Sequence, residues 1–121
     1  MIADLDGTIE YDNPRFTTIT SYSVEEVKGN NLRVLFPEAT PEEEYQRVLA
    51  TIHSGKEWRG EMLNHRKNQE PYWEFASISP IKNDRSEITH FLIVKDDITQ
   101  IKQLQQQLNQ SQKMESIGTL V

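Results

Sequence analysis

The sequence predicts an α+β fold: a five-stranded antiparallel sheet with short helices on one face, then a long C-terminal helix patterned as a coiled coil. Three observations carry this reading. As far as Ile98, turn signals recur about every ten residues, the spacing of short elements. From Glu57 onward polar and apolar residues alternate with the period of two that half-buried strands require. From Thr99 the composition turns Gln-rich, with no Pro and no Gly before Gly118.

Each element has its own signal. Leu5-Asp-Gly-Thr-Ile9 reads as a tight turn feeding a strand that runs through Tyr11. Asp12-Asn13-Pro14 opens a helix, with Pro in the first turn and Phe16, Ile19 and Tyr22 at helical spacing. Ser23-Val-Glu-Glu26 is a capping box for a second short helix, which Gly29 stops. Asn30 to Phe36 supplies a further helical turn before Pro37. Thr40-Pro41-Glu42-Glu43 combines an N-cap Thr, a Pro at the first helical position and acidic residues that favour the helix dipole. The helix it opens sets Tyr45, Val48, Leu49 and Ile52 on one face and ends at Ser54-Gly55.

Three longer strands follow. Glu57–His65 places Trp58, Gly60, Met62 and Asn64 on one face. After a polar turn at Lys67–Glu70, Pro71–Pro80 points Tyr72, Glu74, Ala76 and Ile78 one way and Trp73, Phe75, Ser77 and Ser79 the other. A turn at Lys82–Arg85 leads to Ile88–Val94, which is almost continuously apolar, as expected of a central strand covered on both faces. The body is thus residues 1–98 and the helix residues 99–121. On that helix Ile98, Ile101, Leu104 and Leu108 recur at spacings of three and four, and Met114, Ile117 and Val121 resume the stripe beyond Ser111. So narrow a stripe on a Gln-covered helix is a dimer seam; the alternative is a helix folded back on the sheet.

Composition removes several function classes. The net charge is −6, from 13 Lys and Arg against 19 Asp and Glu. The acid excess lies in residues 1–98, without a basic stripe, so a phosphate backbone would be repelled and nucleic acid is not an expected partner. There is no cysteine, which removes disulfides, thiolate metal sites and cysteine nucleophiles. No run approaches the ~18 apolar residues of a membrane span, so no membrane contact is expected of this segment. Met1-Ile-Ala-Asp4 lacks a secretory pattern, and a cysteine-free acidic domain fits the bacterial cytoplasm, whether its parent chain is soluble or attached to a membrane. The abrupt start suits a segment of a longer chain.

The motifs in order resemble a PAS sensory domain. Asp4-Leu-Asp-Gly-Thr-Ile-Glu-Tyr-Asp-Asn-Pro-Arg-Phe16 is similar to the opening of such domains, and Tyr22-Ser-Val-Glu-Glu-Val-Lys-Gly29 to their GYS-x-EE-x-x-G pattern. Trp58-Arg-Gly-Glu, Asn64-His-Arg-Lys, Tyr72-Trp-Glu and Ile78-Ser-Pro-Ile81 resemble the second half, and Asp96-Asp-Ile-Thr99 the "DIT" exit. Gln112-Lys-Met-Glu-Ser-Ile-Gly-Thr-Leu-Val121 is similar to the residues just before the phosphoacceptor His of sensor histidine kinases. That His lies beyond Val121, so no catalytic residue is expected here. The resemblance implies a homodimer through the C-terminal helix and the outer sheet face (Trp73, Phe75, Leu92, Val94). It also implies downstream kinase domains and a phosphorelay to a response regulator in a two-component system. Asp97 and Thr99, the latter a reasonable N-cap, are the expected signal relay into the helix; ordinary capping is the alternative.

PAS domains often enclose a small molecule. Gly29-Asn-Asn-Leu-Arg-Val-Leu35 resembles the G-x-N-C-R-x-L motif of the light-sensing LOV branch. Asn31 and Arg33 match its polar flavin-binding residues, and Asn64 matches the first of its two strand asparagines. Leu32 stands in place of the photoactive cysteine, Glu74 in place of the second asparagine, and Lys95 in place of a glutamine. Adduct chemistry is therefore excluded, while a non-covalent flavin redox sensor and a ligand-free docking module stay as alternatives. Asn31, Arg33, Trp58, Asn64, Glu74 and Lys95 are the pocket candidates. Glu74 and Lys95, inward-facing on neighbouring strands, should form an ion pair, because an unpaired buried charge is expensive. Haem would need His53, better read as a polar residue at a helix end. His65 and His90 lack partners at metal-ligand spacing, and no metal is expected. Glu42-Glu43-Glu44 reads as an acidic helix start and Asp96-Asp97 as a strand-to-helix junction. No nucleophile–base pair or phosphate-cradling Gly loop is apparent.

Overall fold

The computed structural model describes residues 1–11 and 13–120, with side chains as far as Lys113. Strands β1 (Ile2–Asp4) and β2 (Ile9–Tyr11) form a short hairpin around Gly7, whose φ of 84° only glycine adopts without strain. Asp4 fixes that turn by accepting from the Asp6 and Thr8 amides. Helix α1 (Pro14–Thr20) is capped by Asn13, and Tyr22 falls beyond its end rather than on it. Ser23 and Glu26 form the expected reciprocal capping box on α2 (Val24–Val27). A 3-10 turn at Leu32–Leu35 precedes α3 (Glu42–His53).

The N-terminus of α3 departs from expectation. Pro41, in extended conformation, is the N-cap, and no side chain caps the helix. Thr40 therefore lies one residue too early to reach the first-turn amides, and the acidic first turn of Glu42, Glu43 and Glu44 remains to balance the dipole.

Strands β3 (Trp58–His65), β4 (Pro71–Lys82) and β5 (Ile88–Asp97) complete an antiparallel sheet of order β2-β1-β5-β4-β3. Both long hairpins turn through residues in the left-handed region, Gln69 and Ser86. Asn83 organises the second by accepting from the Arg85 and Glu87 amides. The core lies between helices and sheet, with Phe16, Leu32, Leu35, Tyr45, Val48 and Ile52 packed on Ala3, Ile9, Ile78, Phe91 and Ile93. The central strand β5 is covered on this side only: Leu92 and Val94 are exposed on the other, contrary to the expectation of two covered faces. Helix α4 (Thr99–Leu120) leaves directly from β5.

Candidate functional site

The helices do not close on the outer half of β3 and β4. Between α1, α2, the segment from Arg33 to Ala39 and this end of the sheet lies a cleft of about 1050 Å³, large enough for a cofactor-sized ligand. Phe16, Tyr22, Val27, Leu35, Phe36 and Leu63 give it apolar walls, and Arg33, Asn64, Arg66, Tyr72 and Lys95 bring polar groups.

At its inner wall is a cluster built by strand alternation. Glu74 is fully buried. Lys95 Nζ stands 2.7 Å from Glu74 Oε1 and 2.5 Å from the Leu35 carbonyl. Asn64 Nδ2 donates to the same two oxygens, at 3.0 Å each. Tyr72 Oη donates to the other carboxylate oxygen, Oε2, at 2.7 Å. The expected ion pair is thus present, and its carboxylate is fully engaged, which is the condition for tolerating a buried charge. Burial pulls the Lys95 ammonium below its ordinary pKa, opposed by the Glu74 charge. Burial, reinforced by Glu74, pushes the Tyr72 phenol well up.

Four of the six pocket candidates are brought together here, and two are not. Arg33 lines the cleft, with its guanidinium donating to the Thr40 carbonyl at 2.9 Å and lying over the Tyr45 ring. Asn31 faces away: its side chain accepts from the Arg33 amide, donates to the Asp6 carbonyl and receives the Tyr45 hydroxyl, tying the β1–β2 turn to the helices. Trp58 lies over Gly60, where a Cβ would come within 2.7 Å of the indole, and packs on Phe36 at 5.6 Å. The missing Cβ of Gly60 thus leaves Trp58 room to lie along its own strand, and Trp58 does not line the cleft. Leu32, in place of the LOV cysteine, is wholly buried in the core. Glu74, Asn64 and Lys95, at the positions that correspond to LOV polar residues, bond to one another and to the Leu35 carbonyl. His53 bonds to the Leu49 carbonyl and stacks edge-on against Phe91, away from the cleft. Among the described residues no group of three or more His, Cys, Asp or Glu could hold a metal.

The second feature is the β5–α4 junction. Asp97 Oδ1 accepts from the Thr99 amide at 2.9 Å, and Oδ2 accepts from Arg66 Nη2 at 2.7 Å. Burial disfavours the Asp97 carboxylate, but hydrogen bonds from Thr99 and Arg66 outweigh it and hold its pKa below the ordinary value. Arg66 also donates to the Ile19 carbonyl of α1 and lies 4.5 Å above the Tyr72 ring. The Thr99 hydroxyl is not an N-cap. It accepts from the Trp73 amide of β4 at 3.0 Å, so Asp97 caps the helix start while Thr99 pins it to the sheet. Sequence reasoning missed Arg66 and Tyr72; the inward phase that Tyr72 shares with Glu74 was the available signal.

On α4, Ile101, Leu104 and Leu108 are exposed, each by more than half. Their stripe is not folded back on the sheet. Met114, Ile117 and Val121, the rest of the expected seam, lie outside the described side chains. On the outer sheet face Leu92 and Val94 are exposed, whereas Trp73 and Phe75 are half-buried, Lys102 Nζ lying 5.2 Å over the Trp73 ring. No helix among the described residues is long and apolar enough to cross a membrane.

Comparison with known proteins agrees with this architecture. A family model described as PAS domain matches residues 1–100. The chain is 32% identical over 117 residues to a nitrogen fixation regulatory protein of Klebsiella oxytoca, covering 96% of this chain and 24% of that protein. It thus spans about a quarter of that relative's length. Among solved structures, an RNA-binding light-oxygen-voltage receptor is similar with a TM-score of 0.79 at 28% identity, covering 97% of this chain and 33% of the other. The LOV domain of a blue-light activated histidine kinase from Erythrobacter litoralis is similar with a TM-score of 0.70 at 27% identity, covering 81% of this chain and 93% of the other.

Proposed function

This chain belongs to the PAS domain family, and from that premise we propose that it is the sensory input of a bacterial two-component histidine kinase. In this reading residues 1–98 are the sensor and residues 99–121 the signalling helix. The cleft receives the input. The helix pairs with that of a second copy and biases the autophosphorylation of a His further along the parent chain, which then serves a response regulator. The parent's kinase domains act in the cytoplasm.

The observation that carries the proposal is the unbroken passage from β5 into α4. The strand that lines the cleft through Lys95 ends at Asp97, and the helix starting at Thr99 presents an exposed apolar stripe. Strand end and helix start are held by the same few side chains, so a change at one is felt at the other, which is the coupling an allosteric input needs. The likeness to a blue-light activated histidine kinase supports the kind of output.

A helical-phase series tests it. One to seven residues are inserted after Leu108 in the full-length kinase, and autophosphorylation is measured. If two helices transmit a rotation or tilt, activity should rise and fall with the ~3.5-residue repeat of a coiled coil. A steady decline with insertion length, or no response, removes the proposal. A non-covalent flavin is favoured by the size of the cleft and by the likeness to LOV domains. An absorbance spectrum and intact mass of the purified protein decide between flavin, another retained molecule and a ligand-free docking module.

A further inference from the structure

The structure assigns to Tyr72, Glu74 and Arg66 a positioning role: they connect the inner wall of the cleft to the first turn of α4. This rests on the sensory reading above and names the route by which it would work.

The route is continuous in hydrogen bonds and one ring contact. The Leu35 carbonyl, at the end of the 3-10 turn, is gripped by Lys95 and Asn64. Both also hold Glu74 Oε1, and Tyr72 Oη holds Oε2 at 2.7 Å. The Tyr72 ring lies beneath the Arg66 guanidinium, and Arg66 holds Asp97, which caps Thr99. Glu74 and Asp97 are cross-strand partners in the β4–β5 ladder, two carboxylates set directly opposite. Like charges so placed repel, and the two cations at hand, Lys95 and Arg66, divide between them. A ligand that presents an oxygen acceptor to Lys95 or Asn64 competes with Glu74 Oε1 for their N–H groups and loosens the grip on Glu74. The uncompensated Glu74 charge then draws Arg66 away from Asp97, and the Thr99 cap weakens. The switch is the choice of Arg66 between two carboxylates.

Amide hydrogen exchange by NMR on the 121-residue chain tests this without ligand or kinase. Tyr72→Phe removes one hydroxyl and keeps the ring beneath Arg66. It should speed exchange of the Thr99 and Lys102 amides at least threefold while leaving Ala76 and Phe91 unchanged. In an Asp97→Asn background the same change should add nothing, because the route is already cut. Unchanged Thr99 and Lys102 rates, or an equal increase in both backgrounds, overturn the assignment. Should Tyr72→Phe also speed the core amides, Arg66→Lys decides: it keeps the charge but loses the fork, at a side chain 18% exposed. It must accelerate the same two amides, and unchanged rates overturn the route. The insertion series reads the kinase function independently, so the route can fail while the sensory reading stands.

Discussion

The inner wall of the cleft and the outer surface of α4 invert the usual rule of burial. Inside, Glu74 and Lys95 are charged side chains 0% and 6% exposed. Outside, Ile101, Leu104 and Leu108 are large apolar side chains exposed by 54–60%. The inversion is resolved differently in each place. The buried charges find all their partners within the chain, so the cluster is complete as it stands. The exposed stripe finds none among the described residues and calls for a second surface. In the proposed dimer one region is finished by folding and the other by association.

The largest test of this contrast is Lys95→Met. It leaves Glu74 buried without its cation and should cost about 3 kcal/mol or more in urea unfolding. Adding Glu74→Leu should restore most of that loss, because an apolar replacement of both partners removes the desolvation problem along with the pair. A small cost for the single change would mean that Tyr72 and Asn64 alone satisfy the carboxylate.

On the outer side, Leu104→Lys with Leu108→Lys should weaken self-association by on the order of 10,000-fold or more, since each buried Leu is worth ~1.5–3 kcal/mol and is lost twice per dimer. Sedimentation equilibrium checks it, and the unfolding free energy of the monomer should not move. Association surviving that change but lost with Val94→Lys would transfer the seam to the sheet face.

The smallest effect lies where the two regions meet. The folded-state pKa of Asp97 is below the ordinary 3.8, so its contribution is complete above that value. It is lost as pH falls through 3.8 towards the depressed folded value. Unfolding midpoints measured from pH 6 to pH 3 should show Asp97→Asn about 1 kcal/mol less stable at the upper end, the modest worth of a partly solvated pair. The difference should narrow towards the lower end. Parallel curves would show that the Asp97 charge contributes nothing to the junction.

Most elements were legible because their causes are local. The Ser23–Glu26 capping box, the Gly7 turn and the period of two from Trp58 to Ile78 each depend on residues within a few positions. The Glu74–Lys95 pair was legible because both side chains are charged at inward strand positions, and burial leaves such residues little choice but each other. The Arg66–Asp97 contact was not, since it spans 31 residues and exists only once β3, β4 and β5 are in register. Asn31 and Trp58 were assigned to the pocket by family pattern and strand phase. Neither reveals that Asn31 is needed to hold the β1–β2 turn, or that Gly60 leaves Trp58 room to lie along its own strand. The covered second face of β5 failed for a related reason: an apolar run records that a face must be hidden, but not whether its own chain hides it.

The anchoring of Thr99 to the Trp73 amide also sets a mechanical scale. With its first residue pinned to β4, α4 is a lever whose pivot sits where the central strand β5 ends. At 1.5 Å per residue, 22 residues make an arm of about 33 Å, so a tilt of ~5° at the pivot sweeps the far end through ~3 Å. A displacement at the cap too small to break the fold therefore arrives at the far end as a movement about as long as a hydrogen bond.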